Sequence, residues 1–198
     1  IANLTTSQVN ALNATDIGEL TATQIGAMSG AQLSRLSNTA FGALDTTHVS
    51  GLNTTQIQSF SAAQLGSLTA ADMTEFTETQ LASLTATQVR GLTATAVHAL
   101  ADTQVASLTT AQVQALSTTS IADFDTSHIQ AMTTTQIRAF STAQIQSLSA
   151  NDVQEFTNDQ IAALTIGQLS AFNSTKYAAL TDAQIASMTL TQVQSISA

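Results

Sequence analysis

The chain has 198 residues, a formal net charge of −9, no cysteine and no proline. Its only cations are Arg35, Arg90, Arg138 and Lys176, too few for the basic face that nucleic acid or an anionic membrane surface requires, so both are excluded as partners. Disulfides and thiolate metal sites are excluded as well, and no stretch of 18 apolar residues spans a bilayer. Charged residues make up only 9% of the chain, against roughly 25% in an average globular domain, but 43% is hydrophobic and regularly placed. This is the composition of a folded chain, not a disordered one.

The regular placement begins at Leu4. Leu4-Thr5-Thr6-Ser7-Gln8-Val9-Asn10-Ala11 is the first of 24 octads, and the pattern is clearest at Leu108-Thr109-Thr110-Ala111-Gln112-Val113-Gln114-Ala115. A large apolar residue opens each octad and a cap-forming residue comes second. Gln usually stands fifth, an apolar residue sixth and a small residue last. The second position is Ser, Thr, Asn or Asp in every full octad but one, where Ala101 stands. Ser/Thr followed three residues later by Gln is a capping box, in which the hydroxyl accepts from the third helical N–H and the Gln reaches back to the cap's own N–H. The sequence thus predicts a helix start every eight residues.

One continuous helix is ruled out, because an octad repeat drifts about 80° around a helix of 3.6 residues per turn and its apolar stripe would find no single partner. A strand is ruled out because positions one and six have opposite parity. What remains is a series of short helices of roughly six or seven residues, bent at each Leu-Thr junction and unstable unless stacked. The small last residue lets neighbouring helices approach closely. We expect an all-α solenoid and a single array over residues 1–198.

Through residue 35 the octads are irregular, with Asp16 in place of Gln and glycine at 18, 26 and 30. From Leu36 a longer period appears. Asp45-Thr-Thr-His48 recurs as Asp125-Thr-Ser-His128, and Phe60-Ser-Ala-Ala-Gln-Leu as Phe140-Ser-Thr-Ala-Gln-Ile, so residues 36–115 and 116–195 form an internal duplication of ten octads. The departures from Gln at position five are Asp16, Ala40, His48, Asp72, Ala96, Ser120, His128, Asp152 and Lys176. Their spacing favours three to four helices per turn of the coil. Phe60, Phe76, Phe124, Phe140, Phe156 and Phe172, separated by multiples of sixteen, support the alternative of two. The array starts at Ile1 and stops at Ala198 in mid-repeat, which marks it as part of something longer.

Few residues suggest chemistry. Asp16/Glu19, Asp72/Glu75 and Asp152/Glu155 each place two carboxylates on one side of a helix, with Glu78 or Asp159 one octad on, and calcium takes such oxygens. No glycine-turned acidic loop accompanies them, and a solvated corner of the coil accounts for them. His48 and His128 each follow a capping Asp by three, a spacing that fits a metal pair but equally fits His in the Gln position; His98 stands alone. Thr21-Ala-Thr23, Thr93-Ala-Thr95 and Thr133-Thr-Thr135 would display hydroxyls as ice-binding surfaces do, except that the first Thr is consumed as a cap. Phe41, Lys176 and Tyr177 are the only hints of a non-repeating binding patch. We assign no catalytic, cofactor-binding or metal-ligating residue, and expect no enzyme activity.

Leu84-Thr-Ala-Thr-Gln-Val resembles the opening of the first helix of transcription-activator-like effector repeats. It lacks that family's proline and base-reading loop and lies in an acidic chain, so the likeness implies shared capping physics only. Over its whole length the chain is similar to the Thr/Ala/Gln-rich octapeptide arrays of large secreted bacterial surface and adhesin-like proteins, which are likewise acidic, Lys-poor and Cys-free. That resemblance implies an extracellular or cell-surface structural role as a spacer, stalk or filament-forming segment about 70 Å long, at roughly 10 Å per layer of helices. The alternatives are an adhesin-type module using one solenoid face and an ice-binding Thr array. The expected associations are end-to-end stacking of copies or an unidentified ligand, without membrane insertion.

Overall fold

A computed structural model describes residues 1–196; the last two residues of the array lie outside the description. Among the described residues there are 24 helices and no strand. Each octad yields one helix of four to seven residues, so the shorter ones fall below the six or seven expected. They close on tighter bonds from residue i to i−3: in the helix Ala86–Arg90, for example, the Gly91 N–H donates to Gln88 O (3.0 Å) and Leu92 N–H to Val89 O (3.1 Å), which ends the α-helical ladder early.

The capping boxes form as the octad predicts. Thr109 caps Thr110–Ala115, its hydroxyl accepting from Gln112 N–H at 3.3 Å while Gln112 Oε1 accepts from Thr109 N–H at 2.7 Å. At Ala101 the hydroxyl half is missing, and only Gln104 Oε1 accepts, from Ala101 N–H at 2.7 Å. The bend is made by two successive extended residues, such as Leu108 (φ −61°, ψ 136°) and Thr109 (φ −71°, ψ 158°). Among the described residues no positive φ and no cis peptide is needed, which is how a proline-free chain turns at every octad.

The chain forms two compact units, residues 1–100 and 101–198; the division falls at Ala101, the cap without a hydroxyl. In both units the principal contacts join each helix to the third one along, so a turn contains three helices. In the first unit Ala14–Gly18, Asn38–Phe41, Ala62–Gly66 and Ala86–Arg90 stack in one column; in the second, Thr110–Ala115, Thr134–Ala139, Asn158–Ala163 and Asp182–Ser187 do. Three helices per turn lies within the sequence expectation and sets aside two. The sixteen-residue phenylalanine spacing reflects no stacking, because stacked octads are 24 residues apart; the six rings fill position-one sites of the core.

Positions one and six form that core. Val105, Val113, Ile121, Ile129, Ile137 and Ile145 are all fully buried, each worth about 1.5–3 kcal/mol relative to exposure. Position eight packs on position three of the helix below. A Cβ on Gly91 would lie 2.8 Å from Ala62 O, and one on Gly66, at position seven, 2.8 Å from Gly91 O. The small residues there are a requirement of close approach, as the octad implies. Ser147 and Ser187, at position eight, use the same proximity to donate to Thr118 O (3.1 Å) and Asn158 O (3.0 Å).

Gly91→Ala should therefore destabilise the chain by about 1–3 kcal/mol, since the methyl group meets backbone. Gly18→Ala, which meets nothing within 4 Å, should stabilise it by about 0.5–1 kcal/mol. Urea denaturation of the two variants checks both signs.

Candidate functional site

The most elaborate polar constellation in the molecule is the fifth-position glutamine. A capping box uses only its oxygen; here the amide nitrogen is used too. Gln136 accepts from Thr133 N–H through Oε1 (2.7 Å) and donates through Nε2 to Val105 O (2.9 Å) and Leu108 O (2.8 Å). Those carbonyls lie 31 and 28 residues earlier, at the corner where the helix Asp102–Ser107 gives way to Thr110–Ala115. The register recurs: Gln144 donates to Val113 and Leu116, Gln160 to Ile129 and Met132, and Gln168 to Ile137 and Phe140. In the first unit Gln64 donates to Leu33 and Leu36, Gln80 to Val49 and Leu52, and Gln88 to Ile57 and Phe60. Each such amide satisfies carbonyls that a short helix leaves without a partner. The glutamines are buried as a result, Gln136 and Gln144 being 3% and 2% exposed. Gln8 and Gln24, in the first turn, are exposed.

This second role was missing from the sequence reading. The signal for it was available: Glu never occupies position five in any octad, although it would serve a capping box as well as Gln. Glu lacks the donor.

The substitutes at position five follow the same logic. His48 accepts from Asp45 N–H at Nδ1 (3.2 Å), and its Nε2 lies 2.7 Å from Leu20 O, 28 residues back. In the tautomer with its proton on Nε2, His48 reproduces both halves of the glutamine. His128 accepts from Asp125 N–H at Nδ1 (3.4 Å) in the same way. The backbone N–H of His128 donates to Asp125 and holds its carboxyl below the ordinary value, against a smaller opposing effect of burial. Each histidine pairs with the cap three residues before it, and the His98 ring is placed in an exposed position on Ala94–His98. Lys176 donates through Nζ to Ile145 O (3.0 Å) and Gln146 O (2.8 Å) but offers no acceptor to its cap, Asn173. Burial lowers its pKa, which Asp152 partly offsets. Asp16, Asp72 and Asp152 do the reverse, accepting from their caps Asn13, Thr69 and Ser149 without a donor for the corner carbonyls.

The acidic pairs sit on the seam between stacked helices. Glu75 and Glu155 occupy the normally small position eight, and each has a buried Oε2 with no hydrogen-bond partner. Burial first, then the charge of Asp72, pushes the Glu75 carboxyl above its ordinary value, with the Thr46 hydroxyl opposing. Among the described residues no three His, Cys, Asp or Glu side chains converge in a way that could hold a metal ion. The supposed binding patch also dissolves. Phe41 and Lys176 are only 2% and 4% exposed, Phe41 packing edge-on against Phe60 at 4.7 Å. Tyr177 turns its hydroxyl inward to donate to Leu169 O (2.6 Å). They read as surface hints in the sequence because each breaks the repeat, but the positions they occupy are core positions. No helix among the described residues is long and apolar enough to cross a membrane.

These features define an α-solenoid repeat protein with three capped helices per turn. Residues 129–166 match the ALTTAQ repeat family, whose description spells the residues running from position eight of one octad to position five of the next. No curated protein matches the chain.

Gln136→Glu should keep the cap and lose the inter-turn bonds, setting a buried carboxylate against two carbonyls; we expect a loss of about 3 kcal/mol at neutral pH. The introduced carboxyl's folded pKa is raised, so the loss should shrink as pH falls and the group protonates. Glu75→Gln should stabilise by up to about 1 kcal/mol at neutral pH. With the folded pKa of Glu75 raised, its penalty exists above the ordinary value of 4.5 and disappears in acid, where both states are protonated; the variant and parent denaturation midpoints should converge there.

Proposed function

We propose that the chain is a non-enzymatic structural spacer, a stalk segment of an extracellular or bacterial cell-surface protein. The observation that carries this reading is the glutamine coupling itself: every turn is held to the one before by the same bonds, so the array extends by repetition, and its polar chemistry is spent on its own backbone. Such quasi-one-dimensional stacks gain length and stability turn by turn. The acidic, Cys-free composition suits an oxidising exterior and disfavours nucleic acid. An adhesin-type face has no anchoring side chain once Phe41 and Lys176 are interior. An ice-binding array has no regular column, because Thr134 and Thr135 are stacked between Thr110/Ala111 and Asn158/Asp159.

Duplicating one whole turn, residues 124–147, inside the second unit tests the spacer role by small-angle X-ray scattering. The particle should lengthen by about 8–10 Å, the spacing of one helix layer, with unchanged cross-section. An unchanged maximum dimension, or a loss of helicity, contradicts the reading.

A further inference from the structure

The last turn of the chain presents what the interior turns hide. Ile185 is 46% and Leu190 is 73% exposed, and Tyr177, Leu180, Ile185, Met188, Val193 and Ile196 line an apolar groove of about 220 Å³. All six are position-one or position-six residues, which are buried wherever a further turn stacks on them. The glutamine register also stops short here. Gln192 donates to Ile161 O (3.2 Å) and Leu164 O (2.8 Å), and the next carbonyl pairs in the series are Leu169/Phe172, Tyr177/Leu180 and Ile185/Met188. At the other end the first turn presents the complement. Gln8 and Gln24 are exposed, and their Oε1 atoms already accept from Thr5 and Thr21 N–H at 2.8 Å, leaving the Nε2 donors pointing out of the stack. These glutamines are sixteen residues apart, as are the pairs Leu169/Phe172 and Ile185/Met188.

We propose that a second copy of this chain docks its first turn on this groove, head to tail, continuing the intramolecular register. Gln8 then stands where the octad after Gln192 would place its glutamine and Gln24 two octads further, each donating to one of those carbonyl pairs, while residues 1–3 swing aside from Leu190–Ile196. The proposal rests on the reading of the chain as a stacking repeat. It excludes a symmetric dimer through the apolar groove, which would leave the donors of the first turn unused. A heterologous contact of this kind adds copies without a two-fold stop.

The register names its own probe. Position eight packs on position three of the helix below, 29 residues earlier, and ideal Cβ atoms at such a pair, Gly51 over Ala22, lie 4.0 Å apart, within disulfide range. Between copies the equivalent pair is Ala11 over Ser174, both exposed, in a chain with no other cysteine. Mixing Ala11→Cys with Ser174→Cys under mild oxidant should give a cross-linked dimer that neither variant forms alone, and sedimentation of the unmodified chain should show mass rising with concentration. Gln24→Glu keeps its cap acceptor and should unfold like the parent, yet weaken association by about tenfold or more. A chain monomeric at all accessible concentrations, or cross-links in either single variant equal to those in the mixture, overturns the proposal. Either result leaves the turn-duplication experiment untouched, so failure of the docking and failure of the spacer reading are separately visible.

Discussion

One side chain sets the terms of this fold. A helix of four to seven residues cannot persist in water by itself, and it exposes nearly as many unpaired backbone groups as it satisfies. The fifth-position glutamine answers both ends of the difficulty at once. Its oxygen closes the N-terminus of its own helix, and its amide closes the C-terminal corner in the turn before. Because the amide reaches carbonyls 28 and 31 residues back, it also specifies the stacking register. A turn of two or four octads would present those corners elsewhere. The apolar positions supply most of the stabilisation, but burying Leu and Ile does not by itself choose between registers, whereas a buried amide with two named acceptors does.

The exceptions show how much of that dual role each octad needs. His48 keeps both functions. Lys176 keeps the link between turns and gives up the cap acceptor; Asp72 and Asp152 keep the cap and give up the link. Ala40 and Ala96 retain neither half, although the cap hydroxyls of Ser37 and Thr93 still accept from their N–H groups. The array tolerates these losses because each turn has three glutamine positions, and neighbouring columns hold the register when one position is silent. The tight seam of positions three, seven and eight is less forgiving, since there the close neighbour is backbone.

Much of this was legible in the sequence. The helix starts at Thr5, Asn13, Thr21 and onward, the bends at the Leu-Thr junctions, the buried one-and-six stripe and the need for small residues on the seam all follow from eight-residue patterns, which encode local geometry. The glutamine link was not legible in the same way, because its partners are backbone carbonyls, and a carbonyl leaves no mark on the residue that carries it. The number of helices per turn depends on that link, so the sequence left it between two and four. The absence of Glu from position five was the one trace of the missing donor role. Phe41 and Lys176 misled for a related reason: an unusual residue in a repeat looks like an exposed specialisation, yet at positions five and six the side chain has nowhere to go but inward.

The account stands or falls on whether the glutamine amides bond between turns, and side-chain hydrogen exchange measured by NMR reads this directly. The Nε2 protons of Gln64, Gln88, Gln144 and Gln168 should exchange as slowly as the backbone amides of the core, while those of Gln8 and Gln24 exchange at the rate of a free glutamine. Uniformly fast exchange across all of these amides would mean that the turns are held by apolar contact alone, and that the register has another cause.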